Sequence, residues 1–275
     1  MARIPRRVQD VLDTCEQEFA PSVWNRFFAM LLVAILFRGR RTILRIYDLA
    51  ERLVPGHFSS FHRVFSHRRW RSSCLARKLA RALVDHFAPN GTLEIVGDET
   101  VSQHRGEHVY GKGCHRDAVR SSHGHIVHRW GHKWVVLALR VKVPGATRTW
   151  ALPVLVALYR TPEVDAKEGR RHKTPAELMQ GLLAMWMRWF PDRKSVFAGD
   201  GAYCTHRLTR FAQRHRSKLC VVSKFYSDAV LHQLPPRRRK GRRGRNKVRG
   251  NRLPTPDQVA QSSKRWKKLV VGWYG

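Results

Sequence analysis

Apolar residues recur at helical spacing through the first ninety positions and then give way to strand-like runs. Val8, Val11, Leu12, Cys15 and Phe19 share one helical face and predict a first helix. Pro21 opens a second, which Gly39 closes, and residues 43–53 predict a third, stopped by Pro55 and Gly56. Ser59 or Ser60 then reads as the N-cap of a short fourth helix. Trp70 to Phe87 predicts a fifth, with Leu75, Leu79, Leu83 and Phe87 on one stripe. Two short helices around a glycine-containing turn are either a helix-turn-helix reader of DNA or part of a bundle that packs and reads nothing.

After Pro89-Asn90-Gly91 the period changes. Leu93–Gly97 predicts a strand, and residues 132–143 and 149–160 are β-branched apolar runs joined by a Pro-Gly turn, as in a hairpin. Residues 174–190 predict a helix with Thr174 as cap, Pro175 at its first position and Glu177 at its third. Residues 195–200 return to strand, 205–216 to helix and 218–225 to strand. Strand, hairpin, helix, strand, helix, strand is the element order of a ribonuclease H-like α/β core, a mixed sheet with flanking helices. The chain therefore divides into an all-helical region, 1–90, and an α/β region, 91–275.

Charge changes the picture next. The 275 residues hold 53 Lys plus Arg against 20 Asp plus Glu, a formal net charge of +33, while the 43% apolar content is ordinary for a folded protein. Such self-repulsion is best tolerated beside a polyanion, and nucleic acid is the expected partner. The longest apolar run, Phe27–Phe37, spans 11 residues, too few to cross a bilayer. Five cysteines without a CxxC pair read as reduced thiols, so the expected location is the cytoplasm, on the nucleoid. Residues 235–252 concentrate ten Lys or Arg and no acid. Arg237, Arg238, Arg239, Lys240, Arg242, Arg243, Arg245, Lys247 and Arg249 are the candidate phosphate contacts, acting through counterion release.

In so basic a chain, an acid at the end of an apolar strand calls for its own account. Asp98 follows the strand at 93–97, and Asp200 follows the strand at 195–199. In a ribonuclease H-like sheet those strands are neighbours, so the carboxylates converge. Two carboxylates that close repel unless a proton or a cation lies between them. Hard oxygen ligands select Mg²⁺ or Mn²⁺, and a pair of such ions serves phosphodiester chemistry. Glu99 points to the opposite face if the strand continues, and Asp117 is expected to pair with nearby arginines. Cys114, His115, His123, His125, His128 and His132 lie close in sequence, but without a standard zinc spacing.

The segments "VGDETVSQHRGEHVYGKGCHRDAVRSS", "GHKWVVLALRV" and "AGDGAY" resemble the DDE superfamily of bacterial insertion-sequence transposases, from about Phe58 to the last residue. "GDET" and the D-x-x-Y of Asp200–Tyr203 are the sharpest points. The resemblance implies that Asp98 and Asp200 are the first two members of a metal-binding triad. It also implies DNA cleavage at element ends and strand transfer into target DNA, with no covalent protein intermediate, in a transposition complex that can be homo-oligomeric.

The family's third acid, a glutamate on a later helix, has no counterpart: no glutamate follows Glu177. Asp228, in a segment with the pattern of a short helix, is a weak stand-in, and Asp257, read as lying in a Pro-flanked loop, a weaker one. These features lead to the expectation of a truncated, inactive transposase. The alternative is a non-catalytic nucleic-acid-binding protein that inhibits a full-length relative.

Overall fold

The computed structural model describes residues 6–67, 70–117, 119–122, 124–236 and 244–268. The chain forms two compact units, Met1–Gly91 and Thr92–Gly275.

The first unit holds α1 (Arg6–Glu16), α2 (Pro21–Leu36), α3 (Ile43–Ala50), α4 (Phe58–Ser66) and α5 (Ser72–Phe87). Its main core joins Val23, Ala29, Met30 and Val33 of α2 to Ile46 and Ala50 of α3 and to Phe61 and Val64 of α4. Three local expectations change. The cap of α4 is His57, whose Nδ1 accepts the Ser59 amide, because the helix starts at Phe58. Trp70 precedes α5: its indole donates to the Val64 carbonyl at 2.8 Å and packs on Phe19 and Phe27, so a tertiary contact holds it outside the helix. On α5 the buried positions are Ala80 and Val84, while Leu79 is 42% exposed, so the packing face lies beside the leucine stripe.

The second unit is built on β1 (Leu93–Gln103), β2 (Gly113–Arg116), β3 (His128–Lys142), β4 (Thr149–Tyr159), β5 (Ser195–Gly199) and β6 (Leu219–Ser223). Its helices are α6 (Pro162–Lys167), α7 (Pro175–Trp189), α8 (His206–Arg214) and α9 (Pro256–Ser262). β2 and β4 both pair with β3, and the sheet continues through β1, β5 and β6. The hairpin and the β1–β3 pair are antiparallel, whereas β1–β5 and β5–β6 are parallel. This six-stranded mixed sheet with flanking helices is a ribonuclease H-like α/β fold.

Alternation along the strands gives the sheet two unlike faces. Leu93, Ile95, Leu137, Leu139, Phe197 and Leu219 are buried on the side of α7 and α8. Thr174, Pro175 and Glu177 form the expected cap and first turn of α7, and Trp186 donates from α7 to Ser195 of β5 at 3.1 Å. On the opposite face Val96, Val196 and Ala198 are half-buried and Val222 is 40% exposed. Among the described residues, no helix is long and apolar enough to cross a membrane.

Between β4 and α7 lies a buried charge cluster. Asp165, 3% exposed, accepts from Arg160 Nε at 2.6 Å and from His172 Nδ1 at 3.1 Å. Burial alone would raise the Asp165 pKa, but these two partners outweigh it and hold the carboxyl below its ordinary value. A depressed acid stabilises the fold above its unfolded pKa, and that contribution is lost as pH falls through the folded value. Removing the charge leaves the half-buried Arg160 guanidinium without its counter-ion and His172 without its acceptor, so Asp165→Asn is expected to cost about 3 kcal/mol at neutral pH. In urea titrations the gap between wild type and variant should narrow once the pH drops below about 4. A gap of constant size would exclude this cluster as its source.

Candidate active site on the open sheet face

Asp98 lies in the middle of β1 rather than at its exit. The strand continues through Thr100, Val101 and Ser102 because β3 is long enough to pair with it as far as Gln103. Asp200 does stand where it was expected, one residue past β5. β1 and β5 run parallel with Gly97 opposite Gly199, so Asp98 and Asp200 occupy the next positions on adjacent strands. Neighbouring strands are about 4.8 Å apart, and both side chains are exposed on the face away from α7.

The two Gly-Asp steps share a packing reason. A Cβ on Gly97 would fall 2.5 Å from the Met179 methyl and 2.6 Å from the Phe197 ring. One on Gly199 would fall 2.8 Å from the Tyr203 ring. Each glycine thus lets an aromatic or sulfur side chain press up under the backbone that carries the acid. That packing fixes the height of both aspartates.

Each carboxylate is half-anchored. Asp98 Oδ1 accepts the Glu99 amide at 2.7 Å, and Asp200 Oδ1 accepts the Ala202 amide at 3.1 Å at the start of a 3₁₀ turn, Gly201–Tyr203. Among the described residues the second oxygen of each has no hydrogen-bond or ion-pair partner. Ser223 of β6 donates to the Asp200 carbonyl and ties the turn to the sheet.

Glu99 points to the other face, as strand alternation requires, where it pairs with Lys133. Tyr203, 1% exposed, donates to Glu99 Oε1 at 3.5 Å. Burial, followed by the charges of Glu99, Asp200 and Asp98, pushes the Tyr203 phenol far above its ordinary value. Tyr203 therefore stays protonated and braces the underside of the pair. The sequence marked Tyr203 through the D-x-x-Y spacing, but its link to Glu99 and Lys133 depends on cross-strand register and was missed.

The remaining candidates lie elsewhere. Asp228 sits in an exposed turn, not a helix. Its neighbourhood pairs with the chain returning from the basic run: Leu253 donates to the Leu231 carbonyl, Gln233 to Asn251 and Asp257 to Ser227. Backbone groups used this way are not free for helical bonds. Asp257 is on α9, behind the Thr255/Gln258 capping box, rather than in a loop. Asp117 is buried and pairs with Arg129 at 2.7 Å. His115 is buried against Tyr159, while His132 contacts His104. His123 lies outside the described residues. Among the described residues, no group of three or more His, Cys, Asp or Glu side chains has the geometry of a metal site. Arg245, Lys247 and Arg249 are exposed, while Arg237, Arg238, Arg239, Lys240, Arg242 and Arg243 lie outside the described residues.

Strand order and paired-aspartate positions place this unit among ribonuclease H-like α/β domains. The chain belongs to the DDE superfamily endonucleases, whose family model matches residues 19–274. No curated protein sequence matches it. Among solved structures it is similar to a piggyBac transposase in a synaptic complex with hairpin DNA, at 12% identity and a TM-score of 0.38. That likeness covers 77% of this chain and 43% of the piggyBac chain, so this chain spans less than half of that protein.

Proposed function

We propose that this chain is a DDE-type DNA transposase, cleaving phosphodiesters at element ends and transferring a strand to target DNA in the presence of Mg²⁺ or Mn²⁺. The supporting observation is the placement of Asp98 and Asp200 side by side on the open sheet face, each with an oxygen that has no partner among the described residues. The donors suit a hard divalent ion: Mg²⁺ is commonly held by one or two carboxylates, with water and substrate phosphate completing the shell. Such an ion, when bound, acidifies an attacking water or hydroxyl and offsets charge at the scissile phosphate. The chain's own contribution is positional. Gly97 and Gly199 fix the backbone heights, the Glu99 and Ala202 amides orient the carboxylates, and buried Tyr203 resists their displacement.

The helical unit serves DNA recognition in this reading. α3 and α4 pack on α2 and on each other across the turn containing Pro55 and Gly56, and α4 exposes His62, Arg63 and Ser66. That packing and those exposed polar side chains support reading α3 and α4 as a helix-turn-helix pair.

Manganese binding tests the metal assignment directly. Titration followed by electron paramagnetic resonance should show an ion whose affinity falls at least about tenfold in Asp98→Asn and in Asp200→Asn. Asparagine keeps the oxygen that accepts the backbone amide, so both variants should retain wild-type circular dichroism. Unchanged Mn²⁺ affinity alongside tight DNA binding would replace the enzyme with a DNA-binding protein.

A further inference from the structure

The open face does not end at the aspartates. Val136 lies opposite Asp98, so alternation puts Trp134, His132 and Trp130 of β3 on the same face as Asp98, with Thr100 and Ser102 of β1 beside them. Ring contacts confirm the continuity: His132 lies 5.7 Å from Trp134 and 4.4 Å from His104. His104 in turn lies within hydrogen-bond reach of Ser102, at 3.3 Å. The track ends at a cleft of about 450 Å³ whose walls include His104, Arg105, Lys112, Arg120, His128 and Trp130, with no carboxylate among its lining residues.

Trp130 is 58% exposed, an unusual state for the largest apolar side chain. Lys112 Nζ stands 5.7 Å over its ring. The neighbouring Arg129 is committed to Asp117, whereas the Arg120 side chain is 69% exposed and only 4.0 Å from the same carboxylate. Lys112 also donates to the Gly106 carbonyl, which holds its ammonium beside the ring. An exposed indole ringed by cations that outnumber their one carboxylate offers two things at once: a flat apolar surface and compensation for phosphate. Duplex DNA can use only the second, since its bases are stacked on each other. Unpaired nucleotides can use both.

We propose that the Trp130 cleft is a binding site for unpaired DNA, with a base stacked on the indole and its phosphates held by Lys112, Arg105 and Arg120. Six residues of strand separate the level of Asp98 from Trp130, about 20 Å at the usual rise. A strand in duplex geometry covers that distance in about six nucleotides. The site therefore grips a frayed or displaced strand a few nucleotides from the phosphate at Asp98 and Asp200. This assignment rests on the DNA-cleaving reading and adds the conformation of its substrate.

The test is fluorescence anisotropy with a labelled 12-nucleotide single strand and a blunt duplex, in EDTA, using the full chain. Trp130→Ala should weaken single-strand binding by about tenfold and Trp130→Phe should recover most of it, as base–aromatic stacking predicts. Duplex affinity should change less than about twofold. A 2-aminopurine placed in the single strand should be quenched by wild type and less by Trp130→Ala. Equal losses for both probes, or no loss for the single strand, would overturn the site. Because EDTA removes divalent ions, loss of Mn²⁺ binding with the Trp130 effect intact would overturn the cleavage reading alone.

Discussion

Affinity for duplex DNA is expected to fall by about 10³- to 10⁵-fold between 50 and 200 mM salt, the dependence of a protein that makes six to ten phosphate contacts. A formal charge of +33 and ten cations between residues 235 and 252 supply more than that number of candidates. The segment's two ends are held together: Gly250 donates to the Gln233 carbonyl, and His232 bridges to Arg252. Replacing residues 235–249 with a short Gly-Ser linker keeps that closure while removing nine of the ten cations. Each cation that had met a phosphate should lower the slope of log K against log salt by about 0.9. Filter binding at four salt concentrations measures both slopes. Equal slopes would place the contacts elsewhere, first on the arginine-rich walls of the Trp130 cleft.

Which features were readable from residues alone follows from the range of the forces involved. The α7 start was predicted correctly because Thr174, Pro175 and Glu177 act within four residues of one another. The β3–β4 hairpin was evident from its long apolar, β-branched runs, and β5 from the short apolar run at 196–198 that ends in a Gly-Asp step. β2 was missed: Gly113-Cys114-His115-Arg116 has no apolar alternation and is a strand only because β3 runs beside it. The continuation of β1 past Gly97 was missed for the same reason, since polar Glu99, Ser102 and Gln103 become strand through pairing with β3. The acids followed suit. Asp98 and Asp200 were evident from the repeated Gly-Asp step after an apolar run, a local pattern. Tyr203 under Glu99, and Trp130 on the face of Asp98, depend on register between strands far apart in sequence. The helical signal at Asp228 failed because the backbone partners of its segment, from Gly250 to Asp257, lie at and past the far end of the basic run.

Asp98→Asn and Asp200→Asn should each reduce Mn²⁺-supported nicking of supercoiled DNA by a factor of about 10³ or more, because a bound ion contributes several kcal/mol of charge stabilisation and each 1.36 kcal/mol is tenfold in rate. The two losses should not multiply in the double variant, since on the proposed reading both acids hold one ion and residues acting as a unit are strongly non-additive. Glu99→Gln serves as the internal contrast. Its carboxylate faces away from the pair and is neutralised by Lys133, so its loss perturbs the support under Tyr203 rather than the ion's oxygens. A reduction of about ten- to a hundredfold is expected there, the usual range for a residue that positions a ligand. Asp228→Ala should leave the rate within about twofold, because Asp228 sits in an exposed turn held to the segment leading into α9. A large loss in Asp228→Ala would make that turn the source of the third carboxylate. Nicking that survives Asp98→Asn and Asp200→Asn would remove both aspartates from the chemistry and leave the open face as a binding surface alone.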